Sequence, residues 1–269
     1  FRLFTLIDPE KGYLELADFY LENDKPESAL KILQIACKND PKNYDTYIAK
    51  MVDTYHMIGV FYDNMNQYDK AIESYRRAAL FEPNEPFRWN SLGDGNASAG
   101  YFENAIKYYK KSAELDPDRT WTHILLAWTY HFDLHNYKKA AEEWEEVIAR
   151  EPNVTTGFYL FLGYSYEKSG NMQEAEKTFK KAAEIKPPGY TDYYFKKGNI
   201  EYAHGNYEAA IDCYDIVLRL EPDRIDVHYG LGKTYHKSGN KELAMHQYEI
   251  LKSMDEKMAE DLLEFINDN

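Results

Sequence analysis

A segment of about 35 residues recurs along the whole chain, and this repetition constrains the fold more than any other feature. Self-similarity at a fixed period of this size is the signature of an array in which one small unit is stacked many times. Each unit closes at a proline, which ends regular structure because it has no backbone N–H to donate. The closing prolines, spaced by 32, 42, 34, 35, 35 and 35 residues, are Pro9, Pro41, Pro83, Pro117, Pro152, Pro187 and Pro222.

Residues 156–187 show the unit most clearly. Apolar or small residues recur at steps of three and four on both sides of a break at Gly170. This spacing predicts two amphipathic helices packed as a hairpin. Gly163 and Ala175 are small enough to let the two backbones approach closely, and Phe179 fills the space around that contact. One hairpin cannot bury its apolar face alone, so we expect its neighbours to cover it.

Two further units repeat this succession of large, small and aromatic residues. They read Trp89, Leu92, Gly93, Ala105, Tyr109 and Pro117, and Ile58, Gly59, Tyr62, Ala71, Tyr75, Ala78 and Pro83. The pattern resembles the tetratricopeptide repeat (TPR) family, and the resemblance covers essentially the whole chain. It implies an all-α fold, an alpha-alpha superhelix (TPR solenoid) of about seven helical hairpins with a C-terminal capping helix. The resemblance is specific for the fold and weak for the function.

The repeat pattern also predicts where each hairpin begins and ends. Residues 1–9 read as the tail of a preceding repeat whose partner helix would lie upstream, so we expect the chain to be a piece of a longer protein. Residues 255–269 read as an amphipathic helix that caps the array, with Leu262 and Ile266 on its apolar face. The seven repeats between them are predicted at 10–43, 44–85, 86–119, 120–154, 155–190, 191–224 and 225–254.

Some repeats depart from the pattern. Between Pro41 and Pro83 there are about eight residues more than the period, which predicts a first helix lengthened by about two turns. That extension is either a tolerated elongation or a protruding contact site. In the fourth repeat one extra residue falls in the turn at 133–136. Gly95 lies inside a predicted helix, where it costs about 1 kcal/mol relative to Ala and predicts local softness.

Composition excludes some classes of partner. The formal net charge is −14, so the average field repels phosphate backbones and anionic lipid. We therefore expect no nucleic-acid partner, and no apolar run is long enough for membrane insertion. Cys37 and Cys213 fall in equivalent helices of distant repeats and are interpreted as ordinary buried thiols. The compartment stays open.

No motif in the sequence argues for catalysis or for a cofactor. The glycine-rich stretch at 93–100 lacks the Gly-Lys-Ser/Thr of a nucleotide loop and follows no strand. His131 and His135 are four residues apart, but the residues between them do not form a zinc-protease motif, so we expect no metal site there. The chain is therefore predicted not to be an enzyme, unless a catalytic domain lies upstream.

The family resemblance implies that first helices line a concave groove, and aromatic residues are frequent at the first-helix positions that hairpin packing leaves free. Exposed apolar patches mark interaction sites, and aromatic side chains dominate binding hot spots. Packing between stacked helices explains Phe161 equally well, and explains Trp121, Trp128 and Tyr164 less readily. The residues predicted to line the groove are Asn90, Asp94, Trp121, Trp128, His131, Phe132, Phe161, Tyr164, Phe195, Lys196, Asn199, Tyr202, Tyr229 and Lys233.

These features predict a non-enzymatic scaffold that binds a protein or peptide partner, as an extended peptide or a helix, in the aromatic groove. One alternative is a structural module that self-associates into a homo-oligomer. The other is a co-chaperone-like binder of an acidic C-terminal tail, which the resemblance suggests through Lys196, Asn199 and Lys233. Against this last alternative, Asp192 and Asp226 would repel a carboxylate ligand.

Overall fold

The computed structural model describes residues 8–23, 25–151 and 155–268. In these residues the chain forms helices joined by short turns, with no strand. The predicted all-α fold of paired helices is therefore confirmed. The chain divides into two compact units, residues 1–150 (unit 1) and residues 151–269 (unit 2).

Unit 1 contains four helical hairpins, in which an odd-numbered first helix packs against the even-numbered second helix that follows it. A short 3-10 turn, Pro41–Asn43, precedes the third helix, and a π-helix, Thr129–Asp133, follows the seventh. The α-helices are α1 Pro9–Glu22, α2 Pro26–Asn39, α3 Tyr44–Asn64, α4 Tyr68–Phe81, α5 Pro86–Ser98, α6 Phe102–Leu115, α7 Thr120–Trp128 and α8 Tyr137–Arg150.

Unit 2 contains three hairpins built in the same way and one final helix. That last helix packs against both helices of the hairpin before it. The α-helices are α9 Thr156–Lys168, α10 Met172–Ile185, α11 Tyr190–Ala203, α12 Tyr207–Leu220, α13 Ile225–Lys237, α14 Lys241–Met254 and α15 Glu256–Asp268.

Local chemistry sets the helix boundaries. Asp8 caps α1 by accepting a hydrogen bond from the backbone N–H of Lys11 (3.1 Å), and Pro9 occupies the first helical position, where its missing N–H costs nothing. Pro9 is therefore the first residue of the first hairpin. The rest of the predicted remnant, residues 1–7, lies outside the described residues.

The turn inside a hairpin requires one residue with a left-handed backbone. Gly100 and Gly170 supply it with φ of 78° and 86°, values that a residue without Cβ adopts freely. In hairpins two and four the same conformation is held by Asn66 (φ 56°) and His135 (φ 50°).

A glycine on the first helix faces an aromatic ring of the second helix. A Cβ added at Gly93 would lie 2.3 Å from the Tyr109 ring, and one at Gly163 would lie 2.5 Å from the Phe179 ring. Glycine is therefore needed at these positions for close packing. Gly95 has a similar role between hairpins, since a Cβ there would lie 2.8 Å from the ring of Tyr75. Gly95 thus allows tight packing, and its predicted effect on local softness stays a prediction.

The long helix α3 is integrated into the core at its N-terminal end. Tyr47 and Met51 are buried there against α1 and α2, and the Tyr47 hydroxyl donates a hydrogen bond to Asp40 Oδ2 (2.7 Å). The extension therefore packs against hairpin one and does not protrude.

The fourth hairpin absorbs its surplus residue in an unexpected place. The surplus lies in the π-helix Thr129–Asp133 at the end of the first helix, where the backbone N–H of Leu134 bonds to the carbonyl of Thr129 (3.0 Å). The prediction that it lies in the turn 133–136 is therefore wrong. On the second helix of this hairpin, Trp144 is fully buried.

The final helix covers the last hairpin of unit 2. Ala259, Leu262 and Ile266 are buried against α13 and α14. A Cβ at Gly232 would lie 2.5 Å from Leu262, so this helix takes the place that an aromatic side chain of the second helix holds in other hairpins.

Candidate functional site

Packing within the hairpin fixes the position of the residue that follows the packing glycine. The glycine itself lies in close contact with the second helix, so the next side chain on the first helix has a defined place. In hairpin three the residue is Asp94, whose Oδ1 accepts a hydrogen bond from the Tyr109 hydroxyl (2.8 Å). In hairpin six it is Asn199, whose Oδ1 accepts one from the Tyr214 hydroxyl (2.7 Å). The packing of tyrosine against glycine and the hydrogen bond from the tyrosine hydroxyl, which we call the shared frame, are thus the same in both units. The charge of the accepting side chain differs.

In unit 1 this side of the first helices exposes large aromatic rings. Trp121 is 53% exposed, Trp128 is 42% exposed and Phe132 is 51% exposed. The two tryptophans are seven residues apart, so they lie on one side of the helix, about 10 Å along its axis. We call Phe87, Asp94, Trp121, Trp128 and Phe132 the first-helix face of unit 1.

The π-helix shapes the end of this face. It carries His131 and Phe132, whose ring centroids are 4.6 Å apart, and the His131 ring also meets the edge of Tyr137 (5.2 Å). π-helical turns shift the side chains that follow them relative to a regular helix, and they are frequent at functional sites.

One predicted groove residue is not accessible. Asn90 is 2% exposed, and its Nδ2 donates a hydrogen bond to Thr122 Oγ1 in the next hairpin (2.9 Å). Its prediction as a binding residue is corrected, because its amide instead joins α5 to α7.

Asp94 is the electrostatically unusual group of this face. Burial raises the pKa of its carboxyl to about 6. The hydrogen bond from Tyr109 lowers this pKa, and the charge of Asp63 raises it by a smaller amount. The carboxylate is therefore held in a site that disfavours its negative charge near neutral pH.

In unit 2 the corresponding side of α11 and α13 combines tyrosines with lysines. The ammonium of Lys233 lies 4.8 Å from the ring centroid of Tyr229, 5.4 Å from that of Tyr202 and 5.8 Å from that of Phe265. Burial lowers the pKa of Lys233. We call Lys196, Asn199, Tyr202, Tyr229 and Lys233 the first-helix face of unit 2.

The other predicted residues of unit 2 are engaged in packing. Tyr164 sets its ring edge-on against Phe179 (5.3 Å) within its own hairpin. Phe195 contacts the Tyr214 ring (6.2 Å) and lies 4.9 Å from the guanidinium of Arg224. Phe161 is half-buried. These three residues present only part of their surface.

Sequence reasoning missed the role of Arg224, which lies in the turn between hairpins six and seven. Its guanidinium pairs with Asp192 (2.9 Å), Glu221 (3.3 Å) and Asp226 (3.1 Å). Arg224 therefore partly offsets the charge of the two aspartates expected to repel a carboxylate ligand, but it is shared among three carboxylates and does not cancel that charge. The available signal was an arginine two residues before Asp226, which α-helical spacing alone does not pair with Asp192.

The part of the chain that the structure describes contains no cluster of metal-ligating side chains. No group of three or more His, Cys, Asp or Glu side chains there is arranged to hold a metal ion. Both cysteines are free thiols, and burial raises the pKa of each. Among the described helices, none combines the length and the apolar character that crossing a bilayer requires.

The fold and its exposed first-helix faces define a helical-hairpin repeat protein. The tetratricopeptide repeat sequence model matches residues 52–85, 89–119, 156–188 and 225–257, and a further TPR repeat model matches residues 198–239. The chain belongs to the tetratricopeptide repeat family.

Two sequence relatives and one solved structure illustrate what the chain is similar to. The TPR repeat-containing protein MJ1428 of Methanocaldococcus jannaschii is 23% identical over 94% of this chain, which spans 52% of that protein. The human protein O-mannosyl-transferase TMTC1 is 25% identical over 71% of this chain, but the match spans only 22% of that protein. A tetratricopeptide repeat protein from Parabacteroides merdae has a similar structure (TM-score 0.54, 17% identity), covering 96% of this chain and 98% of its own.

Proposed function

We propose that this chain is a non-enzymatic scaffold that binds an extended peptide or a helix of a partner protein on its first-helix faces. The tetratricopeptide repeat fold in general serves protein–protein interaction, and the two faces described above specify where binding would occur. Each hairpin contributes one or two side chains to a face, so a partner segment would be contacted by successive hairpins.

The observation that carries this proposal is the exposure of Trp121, Trp128 and Phe132 on one side of hairpin four. Contact between water and the apolar surface of these rings is unfavourable. A partner that covers the rings removes this surface from water, which favours binding. Trp in particular accounts for a large share of binding energy at protein interfaces.

The test uses the full chain and a displayed library of random peptides. Peptides enriched on the wild-type chain are synthesised, and their dissociation constants are measured for wild type and for Trp128→Ala. We expect Trp128→Ala to weaken binding by about 2 kcal/mol, which is about 30-fold, while the helical circular dichroism is unchanged.

The matched control is Leu80→Ala. Leu80 is a large apolar side chain that is 66% exposed on the second helix α4, away from the proposed face. Equal loss of affinity in the two variants, or enrichment of no peptide on the wild-type chain, would count against the proposal. Loss of helicity in Trp128→Ala would instead identify Trp128 as a packing residue.

A second candidate function concerns unit 2. Asp192 and Asp226 are both ion-paired with Arg224, whereas Lys196 and Lys233 have no carboxylate partner among the described residues. This observation favours an acidic segment, such as an acidic C-terminal tail, as the ligand of the first-helix face of unit 2. The variant Lys233→Met tests this candidate function, because removal of the cation should weaken the binding of an acidic peptide.

A further inference from the structure

Three carboxylates follow one another along hairpins two, three and four of unit 1. Asp63 accepts a hydrogen bond from Ser98 Oγ (3.3 Å), and Asp94 accepts one from the Tyr109 hydroxyl (2.8 Å). Burial raises the pKa of Tyr109, and the charges of Asp94 and Asp133 raise it further. Asp63 acts in the same way on Asp94, whose pKa burial raises and the charge of Asp63 raises further. The three groups therefore form one connected set, which we call the carboxylate row.

The carboxylate row lacks a Lys or Arg partner among the described residues; at Asp133 burial raises the pKa and the basic side chain of His135 lowers it. No Lys or Arg side chain among residues 8–23, 25–151 and 155–268 forms an ion pair with Asp63, Asp94 or Asp133. By contrast, two other first-helix carboxylates of unit 1 are paired, Asp18 with Lys50 (2.5 Å) and Asp53 with Arg88 (2.7 Å). The row is therefore a local excess of negative charge within a unit that neutralises acids elsewhere.

The negative charges of the carboxylate row lie at positions where they are unfavourable for the folded state. Asp63 lies in the last turn of α3 and Asp133 ends the π-helix, and a negative charge near the C-terminal end of a helix opposes the helix dipole. Burial also disfavours the charged form of Asp94 and raises its pKa. A cation brought to this row would relieve each of these unfavourable terms.

The neighbourhood is also short of hydrogen-bond donors. Asn90 precedes Asp94 by one helical turn, and its Oδ1 is buried without a hydrogen-bond partner, although its Nδ2 is satisfied by Thr122. Asp63 Oδ1 is likewise buried and unpartnered. Both atoms are buried acceptors without a donor, so each adds negative potential to this region, although neither atom is itself exposed to a partner.

The exposed tryptophans add a second preference for a cation. A Trp ring attracts a Lys or Arg side chain placed over its face, and unit 1 contains such a pair, with the Lys111 ammonium 5.2 Å from the Trp89 ring. Trp121 and Trp128 have no cation over their rings among the described residues. Ring faces and the carboxylate row thus favour the same chemical group.

We propose that the first-helix face of unit 1 binds a basic partner segment, with an Arg or Lys side chain taken between Asp94 and the rings of Trp121 and Trp128. This inference rests on the proposed function and adds to it the charge of the partner. It also assigns unit 1 a ligand of opposite charge to the acidic segment favoured for unit 2.

The test compares three pentapeptides that differ only at the central residue. The sequence Leu-Ala-X-Ala-Leu, with an N-terminal trifluoroacetyl cap, carries arginine, citrulline or glutamate at X, and binding to the full chain is followed by 19F NMR. Citrulline matches arginine in shape and lacks its charge. We expect the arginine peptide to bind about tenfold more tightly than the citrulline peptide, because it gains both the ion pair and the cation–π contact.

The variant Asp94→Asn isolates the carboxylate. Asn at this position retains an acceptor for Tyr109, as Asn199 does for Tyr214, so the hairpin should fold. We expect the preference for arginine over citrulline to fall to about threefold. The matched control Asn199→Asp places a carboxylate at the equivalent position of unit 2 and should leave the arginine peptide bound to unit 1 with the same preference.

Several outcomes would overturn the inference. They are equal binding of the arginine and citrulline peptides, tighter binding of the glutamate peptide, an arginine preference that Asp94→Asn does not reduce, or no detectable binding at millimolar arginine peptide. If display-selected peptides still depend on Trp128 in that case, the proposed function stands and only the charge of the partner is refuted.

Discussion

The two units build the same hairpin and place opposite charges on it. In both units a tyrosine of the second helix packs against a first-helix glycine, and its hydroxyl donates to the next residue, Asp94 in unit 1 and Asn199 in unit 2. The hydrogen bond requires only an acceptor oxygen, so packing does not decide between acid and amide. The difference teaches that this position can change its charge without changing the fold.

The surroundings of that position extend the contrast. Unit 1 surrounds it with exposed tryptophans and unpaired carboxylates, whereas unit 2 supplies tyrosines and the lysine cations of Lys196 and Lys233. In unit 2 the nearby acids Asp192 and Asp226 are ion-paired with Arg224, which offsets part of their charge. Each unit therefore combines aromatic surface with one sign of charge, which is a basis for selecting different partner segments.

The largest effect should come from the shared frame. We expect Gly93→Ala to lower the free energy of unfolding by about 3 kcal/mol, because its Cβ would lie 2.3 Å from the buried Tyr109 ring. Gly198→Ala in unit 2 should cost less, about 2 kcal/mol, because the separation from Tyr214 is 2.7 Å. Urea unfolding of both variants measures this. Gly157→Ala is the control, since its nearest neighbour is 3.6 Å away, and it should not destabilise. An unchanged free energy of unfolding in Gly93→Ala would contradict close packing of Tyr109 against Gly93 as a basis of the shared frame.

A smaller effect should follow from the charge of Asp94. Its folded pKa of about 6 lies above the ordinary value of 3.8, so the folded state binds the proton more tightly and loses stability as the pH rises between these values. Asp94→Asn removes this loss and should raise the unfolding free energy at pH 7 by about 2 kcal/mol, a gain that disappears towards pH 4.

Unfolding of Asp94→Asn and wild type across this pH range measures the difference. Asn199→Asp provides the comparison in unit 2, where the side chain is exposed, and it should change stability by less than about 0.5 kcal/mol at either pH. A pH-independent effect of Asp94→Asn would contradict the burial of this carboxyl as the source of the difference between the units.

The smallest effect concerns the cation of unit 2. Lys233→Met should weaken the binding of a peptide that ends in two aspartates and a free carboxylate by about fivefold, or about 1 kcal/mol, because it removes the partly buried ammonium. Lys197→Met is the matched control, since it removes the same charge from an exposed side chain of α11 outside the first-helix face. Fluorescence anisotropy with a labelled peptide measures both. Equal weakening would indicate a general charge effect and argue against a site at Lys233.

Much of the hairpin architecture could be predicted because its signals are local. The steps of three and four, the turn glycines and the small residues opposite rings lie within one repeat. The packing role of Gly95 could not be predicted, because the ring that it accommodates, Tyr75, belongs to the preceding hairpin. The π-helix was missed for a related reason, since a surplus residue can be absorbed anywhere near the turn and packing selects the place.

The candidate site was predictable in its aromatic content and not in its electrostatics. Trp121 and Trp128 could be assigned to an accessible side through the family resemblance, which implies the first-helix positions that hairpin packing leaves free. The burial of Asn90 depends on Thr122 of the next hairpin, and the ion pair of Asp192 depends on Arg224. These contacts join residues 32 positions apart in each case, a separation at which periodicity names the neighbouring hairpin but not the pair of atoms.

The sequence by itself determined that this protein is an array of helical hairpins, because a repeating pattern of small and large apolar residues is satisfied only when identical units cover one another. Only the tertiary structure decided which charges on the first helices are compensated. Electrostatic interactions depend on distance and burial, and for Asp94, Lys233 and Arg224 both are set by side chains of other helices.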